Sequence, residues 1–182
     1  MKKHLSKYYI LLLLTLMFAA PGLAAYIFYQ HPTWLGASTV NKGTLLSSPI
    51  VLKSLEGKNK WRIIFWNPGV CEQECLKQLN VLARVRLALG RKLYQVDQWL
   101  LLGNEVSSIS DNINLILKEQ DFHVAQLSAD EMAQLTPVAS GAKIFIANPD
   151  NYLILSYPSQ ANPNDIYKDL KLLLNTAEHK SG

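Results

Sequence analysis

One long run without a charged residue determines how this chain is organised. The run covers residues 8–29 and reads YYILLLLTLMFAAPGLAAYIFY. Twenty-two helical residues at about 1.5 Å each reach roughly 33 Å, which is enough to cross a hydrocarbon core of about 30 Å. Tyrosines at both ends match the aromatic belts of a spanning helix. The sequence therefore predicts one N-terminal transmembrane helix.

A cleaved signal peptide is the alternative interpretation of the same run. A short basic start, an apolar stretch from Ile10 and the small residues around Gly22 and Ala24 resemble such a leader. After Ala25, however, the chain continues as YIFY, where a cleaved leader would give way to polar sequence. This continuation favours the anchor.

Positive charges predict the orientation of the anchor. Lys2, Lys3 and Lys7 precede the run, and the next lysine is Lys42. We therefore expect a single-pass protein of the inner membrane, with a cytoplasmic N-terminus and a periplasmic C-terminal part. Beyond residue 30 the chain has 15 basic and 14 acidic residues, a net charge of +1, so nucleic acid is not an expected partner.

The exported part reads as a tether followed by one domain. We expect residues 1–30 to form the cytoplasmic N-terminus and anchor, 31–59 a tether and irregular segment, 60–178 a folded domain, and 179–182 a tail. Within the tether, residues 44–52 are a candidate short strand or hairpin, and a proline there favours an edge position.

Hydrophobic periodicity predicts alternating strands and helices in the domain. The run WRIIFW is typical of a buried strand, and apolar residues after Cys71 recur at helical spacing until Gly90. Ser128 and Glu131 have the spacing of a capping box. This alternation predicts an α/β fold, a thioredoxin-like mixed sheet flanked by helices. The further strands are expected at 94–102, 122–127, 143–147 and 152–157, and the further helices at 111–120, from Ser128 to before Pro137, and from Asn164 onward.

Cys71 and Cys75 lie where the first strong strand meets its helix. If both were helical their Cβ atoms would be about 5 to 6 Å apart, too far for a disulfide unless Cys71 lies in the preceding turn. The helix N-terminus stabilises a thiolate, whereas Glu72 and Glu74 repel one and favour a bound cation. The pair is therefore consistent with a structural disulfide, a redox-active pair, or two soft ligands for Cu(I).

The run WRIIFWNPGVCEQECLKQL resembles the Sco/SenC family of membrane-anchored thioredoxin-fold proteins, whose hallmark is CxxxC after the first long strand. NKGTLL and IFIANPDNYLILSYPSQANPNDIYKDLKLLL extend a closer resemblance, to small proteobacterial transmembrane proteins that accompany oxidase-assembly genes, over nearly the whole chain. The resemblance implies a role in copper-site biogenesis of cytochrome c oxidase. It implies copper as the cofactor, and an oxidase subunit or a copper chaperone as partner.

The sequence departs from the Sco pattern at the site itself. Family members carry a proline directly after the first cysteine, where this chain has Glu72. They also carry a histidine that completes a Cys-Cys-His copper site, whereas the corresponding stretch PVASGAKIFIANP has none. His123, in FHVAQL, remains as a candidate ligand, although a histidine that alternates with its neighbours in this way is more often an ordinary strand residue. No proline directly precedes the strand at Ile144, where thioredoxins keep one against their active site.

These features together indicate an accessory factor, since the missing histidine argues against a self-sufficient copper donor. It would either exchange thiols and disulfides, with Cys71 attacking and Cys75 resolving, or hold Cu(I) transiently between the two. The alternative is a non-catalytic, membrane-anchored interaction module with a structural disulfide. Arg86, on the apolar stripe of the cysteine helix, is expected to pack its stem and extend its head into water.

Overall fold

The structure, a computed structural model, describes residues 2–30, 41–55, 59–103 and 109–180, with side chains described from residue 8 to residue 177. The chain divides into two compact units, Met1–Val40 and Asn41–Gly182. In the first unit, helix α1 (Lys2–Gln30) continues through Pro21. Its portion Tyr8–Gln30 is long and apolar enough to cross a membrane, as the uncharged run predicts.

The second unit is a mixed six-stranded sheet with helices on both faces. Its strands are β1 (Thr44–Val51), β2 (Trp61–Asn67), β3 (Val96–Leu102), β4 (Phe122–Gln126), β5 (Lys143–Ala147) and β6 (Tyr152–Pro158). Its helices are α2 (Gln73–Ala88), α3 (Asp111–Glu119), α4 (Ala129–Leu135) and α5 (Pro163–Lys180), with a short 3₁₀ helix at Gly90–Gln95. The strand order is β1-β6-β5-β2-β3-β4. Strands β2, β3 and β4 are parallel neighbours, while β5, β6 and β1 pair antiparallel. The predicted thioredoxin-like α/β fold is confirmed.

One local expectation is confirmed and two differ. The candidate strand within the predicted tether forms β1, an edge strand of the sheet as its proline indicates. Residues 94 and 95, expected in a strand, belong to the 3₁₀ helix that Gly90 opens with a φ of 60°. The last helix begins at Pro163, where the missing N–H costs nothing, and Asn162 caps it by accepting a bond from Asn164 N (3.0 Å).

Each face of the sheet carries its own hydrophobic core. Helices α2, α3 and α5 cover one face, and α4 with residues 50–55 covers the other. The division follows the period of two along a strand: Ile63 and Phe65 of β2 face the first core, while Ile64 and Trp66 face the second. Both cysteines belong to the first core.

A buried carboxylate holds the start of the second unit against α5. Asp169 is 2% exposed and accepts bonds from the backbone N–H groups of Lys42 (2.7 Å) and Gly43 (2.8 Å) and from the Tyr157 hydroxyl (2.7 Å). Burial and the adjacent Asp169 carboxylate raise the pKa of Tyr157. A Cβ atom on residue 43 would collide with the Tyr157 ring, so this contact requires glycine.

A second buried carboxylate joins α4 to the segment after β1. Ser128 and Glu131 form the predicted capping box, which is confirmed. Glu131 also accepts bonds from the backbone N–H (2.8 Å) and the hydroxyl of Ser54. Burial alone would raise the pKa of Glu131, but the bonds from Ser54 and Ser128 outweigh it and lower the pKa from 4.5 to about 2.

Candidate functional site

A turn closed by Asn67 carries the chain from β2 to the cysteines. The side-chain amide of Asn67 donates to the carbonyl oxygens of Gly69 (3.1 Å) and Val70 (3.2 Å). These bonds convert the strand-breaking sequence NPG into a defined turn that ends at Cys71.

Gly103, directly after β3, lets this turn approach the neighbouring strand closely. A Cβ atom on residue 103 would lie 2.5 Å from the carbonyl oxygen of Pro68, so glycine is required there. The turn is thereby held at the carboxyl ends of parallel strands, which is where α/β sheets place their binding sites.

Cys71 and Cys75 form a disulfide across the start of α2. Their Cα atoms are 5.2 Å apart. Cys71 precedes Glu72, the N-cap residue of α2, whereas Cys75 lies in the first turn of the helix. The geometry agrees with the spacing argument, because Cys71 lies outside the helix and can approach Cys75. Cys71 is 4% exposed and Cys75 is 7% exposed, so the protein covers most of both.

A cleft of about 210 Å³ opens beside the disulfide. Cys75 lines it, together with Phe65 from β2 and the largely exposed side chain of Val70. Cys71 is not among the lining residues. Ala142, before β5, and Ser159, after β6, also line it.

Carboxylates line the same cleft. Glu72 and Glu74 both contribute to its wall, and both are exposed. Lys77 lies 3.4 Å from the Glu74 carboxylate in an exposed ion pair, which offsets part of that charge. Glu72 makes no side-chain bond to the helix that it caps. The cleft therefore presents negative charge to whatever enters it.

The structure does not bring His123 to the cysteine pair. His123 lies on β4, and its ring stacks on that of Trp99 with the ring centroids 4.8 Å apart. Trp99 belongs to the core under α4, whereas Cys71 and Cys75 belong to the core under α2. The sheet separates the two positions.

Within the described residues, no group of three histidine, cysteine, aspartate or glutamate side chains is arranged to hold a metal ion. Ala142 comes from the stretch PVASGAKIFIANP, where the Sco resemblance implies a histidine, and it lines the cleft beside Cys75. The side chain that this stretch contributes to the cleft is therefore a methyl group, which cannot bind a metal ion.

The expectation that the head of Arg86 extends into water is wrong. The residue is 8% exposed, its Nε donates to the carbonyl oxygen of Val96 (2.7 Å), and its Nη2 lies 2.9 Å from Asp121 Oδ2. Arg86 therefore fastens α2 to the start of β3 and to the turn before β4, and it is not part of the cleft.

A family described as "transmembrane-like, thioredoxin-like, C-terminal domain" matches residues 61–177, well over half of the chain. The chain belongs to this family. The matched residues begin at the first residue of β2 and include the disulfide, the cleft and most of α5. Comparison of the chain with curated proteins finds no match.

Solved structures of Sco proteins share the fold. Apo Sco1 from Thermus thermophilus has a TM-score of 0.54 and 16% identity, covering 76% of this chain and 99% of that chain. ScoI from Arabidopsis thaliana, with copper bound, has a TM-score of 0.51 and 11% identity, covering 65% and 86%. At these identities the likeness establishes the fold alone. It confirms the Sco-like thioredoxin fold that the sequence resemblance implies.

The sequence predicts the two cysteines as site residues but not the residues that surround them. Asn67 could have been predicted, since Asn before Pro-Gly is typical of a turn in which the Asn side chain bonds the backbone. Ala142 and Ser159 could not, because neither their residue type nor their spacing connects them to Cys75 before the sheet is assembled.

Proposed function

We propose that this chain is a membrane-anchored accessory factor in copper-site biogenesis of cytochrome c oxidase, acting by thiol–disulfide exchange through Cys71 and Cys75. The observation that carries the proposal is the disulfide across the N-terminal end of α2, with Cys75 lining a cleft. Exchange needs a disulfide that a partner thiolate can reach and an environment that stabilises the departing thiolate. The cleft provides the first, and the positive end of the helix provides the second.

The proposed location is the inner membrane, with the domain in the periplasm. Three lysines before the apolar helix support a cytoplasmic N-terminus. In an oxidising compartment a working dithiol must be re-reduced continually, so the pair would cycle between both states.

The Sco resemblance of the sequence, together with the copper held by Arabidopsis ScoI, supports a copper-linked role. The proposed partner is an oxidase subunit or a copper chaperone.

Transient holding of Cu(I) as cargo is the second candidate for the same pair. Reduction of the disulfide would leave two thiolates side by side at the start of α2, with Cys75 lining the cleft, and soft thiolates suit Cu(I). Because the stretch expected to supply a histidine contributes Ala142 to the cleft, the third ligand would come from the partner protein. Such a site would accept and release copper only in a complex, in keeping with an accessory role.

The alternative function is a non-catalytic interaction module with a structural disulfide. The burial of Cys71 and Cys75 in the core under α2 favours this alternative. The reduction potential of the disulfide distinguishes the two functions. A structural disulfide in an exported protein typically has a reduction potential below about −300 mV, whereas pairs that exchange have a higher one.

The full-length protein in detergent micelles is the material for the test. Its thiol–disulfide potential is measured in dithiothreitol buffers by counting alkylated cysteines, and its reduced form is titrated with Cu(I) against a competing chelator. Oxidase assembly is then compared in cells carrying Cys71→Ser, Cys75→Ser or the control Gln73→Ser, which alters an exposed residue between the cysteines.

We expect a potential above about −300 mV and loss of oxidase assembly with either cysteine variant but not with the control. A lower potential, no copper bound and normal assembly in both cysteine variants would establish the structural alternative. Tight Cu(I) binding by the protein alone would show that it needs no partner ligand, against the accessory role.

A further inference from the structure

The disulfide depends on the backbone position of Cys71, which lies outside α2. Two helical residues four positions apart have Cβ atoms about 5 to 6 Å apart, whereas a disulfide needs about 3.5 to 4.5 Å. Cys75 lies in the first turn of α2, so the helix sets its position. The turn before the helix therefore determines how readily the sulfur of Cys71 meets that of Cys75 when both are reduced.

The Asn67 side chain holds the peptide group that leads into Cys71. Asn67 is the last residue of β2 and pairs with Leu102 of β3, so the sheet fixes its backbone. Its Nδ2 donates to the carbonyl oxygens of Gly69 (3.1 Å) and Val70 (3.2 Å). The Val70 carbonyl belongs to the same planar peptide group as the Cys71 nitrogen. The second bond thus connects the fixed end of a strand to the backbone of a cysteine.

Side-chain packing contributes little to this turn. Residues 68–70 are all exposed, and the Val70 side chain is 67% exposed. A Cβ atom added at Gly69 would meet nothing within 4 Å. The two bonds from Asn67 therefore have a large share in holding the turn.

The turn and the disulfide stabilise each other. With the disulfide closed, both bonds from Asn67 are made. Because coupling between two equilibria is reciprocal, a disulfide that favours the turn is itself favoured by the bonds that form the turn. Loss of those bonds shifts the equilibrium from the disulfide towards the dithiol.

We propose that Asn67 is a positioning residue that lowers the reduction potential of the Cys71–Cys75 pair by holding the peptide group before Cys71. This inference rests on the proposed exchange function. Reduction by dithiothreitol transfers two electrons and two protons: the bond between the sulfurs breaks, both become thiols, and dithiothreitol closes to its cyclic disulfide. Asn67 takes no part in these bond changes. It shifts their equilibrium by stabilising the turn that the closed pair requires.

The variant Asn67→Ala tests the proposal in the full-length protein in detergent micelles. Wild type and variant are equilibrated with mixtures of reduced and oxidised dithiothreitol, quenched in acid, and alkylated to count free thiols. Loss of two hydrogen bonds of ordinary strength should shift the equilibrium about tenfold towards the dithiol. The reduction potential should then rise by about 30 mV. Asn67→Asp, which keeps the shape of the side chain but has no donor, should shift it in the same direction.

Asn114→Ala is the matched control. It removes a bond of the same kind, from Asn114 Nδ2 to the carbonyl oxygen of Ile109 (3.3 Å), at α3 and away from the cysteines. The reduction potential of this variant should equal that of the wild type. Far-ultraviolet circular dichroism checks that all variants are folded.

Urea unfolding of the oxidised and reduced forms separates positioning from a purely structural role. We expect Asn67→Ala to lower the free energy of unfolding more in the oxidised form than in the reduced form. An equal loss in both forms, with the potential unchanged, would overturn the positioning role and leave the exchange function intact. A wild-type potential below about −300 mV would instead overturn the exchange function, and a tenfold shift in the variant would still support the positioning role.

Discussion

Glu131→Gln is expected to destabilise the protein at neutral pH and to remove much of its sensitivity to acid. The Glu131 carboxylate is buried, and its Oε1 accepts the Ser54 N–H (2.8 Å). Its Oε2 accepts the Ser128 N–H (3.0 Å) and both serine hydroxyls. Hydroxyls can rotate to suit a glutamine, but a backbone N–H cannot. One of the two backbone N–H groups would therefore face the new amide NH₂ without an acceptor.

The magnitude follows from the hydrogen bonds and from the pKa. A bond between a backbone N–H and a charged group contributes about 1.5 to 3 kcal/mol, so the substitution should cost about 2 to 3 kcal/mol at pH 7. The pKa of Glu131 falls from 4.5 in the unfolded chain to about 2 in the folded protein. Its contribution is therefore complete above pH 4.5 and is lost as the pH falls towards 2. By pH 3 the wild type should have lost about 2 kcal/mol of stability that the variant never had.

Urea unfolding of the full-length protein, followed by tryptophan fluorescence, measures both effects. Trp66 and Trp99 lie in the core beneath α4 and report on its packing. The free energies of unfolding of wild type and variant should differ at pH 7 and converge at pH 3. Glu119→Gln, at an exposed carboxylate, is the control and should change little. A difference that stays constant from pH 7 to pH 3 would refute the reasoning, because the carboxylate would then have the same pKa in both states.

Two further predictions concern the start of the second unit and the cleft. Gly43→Ala places a methyl group against the Tyr157 ring and should lower the free energy of unfolding by about 1 to 3 kcal/mol, whereas Gly141→Ala, with open space around it, should not. Equal effects in urea unfolding would contradict this contact. Glu72→Gln combined with Glu74→Gln should accelerate reduction of the disulfide by anionic glutathione about threefold per charge at low salt, assuming charges about 7 Å apart. High salt should remove most of the gain, and an equally large gain with uncharged 2-mercaptoethanol would show that charge in the cleft is not the cause.

Local patterns were sufficient to predict most of the secondary structure. The β2 run, the helix after Cys71 and the Ser128–Glu131 capping box each depend on residues within a few positions of one another, so their sequence signatures are complete. The boundary at Tyr94 was missed because Gly90, at positive φ, opens a 3₁₀ helix before the strand. Single residues decide such boundaries, and periodicity does not detect them.

Contacts between distant segments could not be predicted in the same way. Arg86 lies on an apolar stripe of α2, and nothing in that stripe indicates that Val96 and Asp121 meet its guanidinium group. His123 alternates correctly for a strand, yet the face it occupies depends on how β4 pairs with β3. A histidine counted as a candidate ligand in the sequence thus lies across the sheet from the cysteines.

Neighbouring residues are enough to specify the apolar N-terminal helix, the alternation of strands and helices, and the two cysteines where β2 meets α2. That Cys75, Ala142 and Ser159 line one cleft depends on the assembled sheet. The two kinds of feature differ in the range of the interactions that produce them. Helix periodicity and capping act within one or two turns, whereas a cleft exists only after β5 and β6 have paired beside β2 and brought residues from separate parts of the chain to one edge of the sheet.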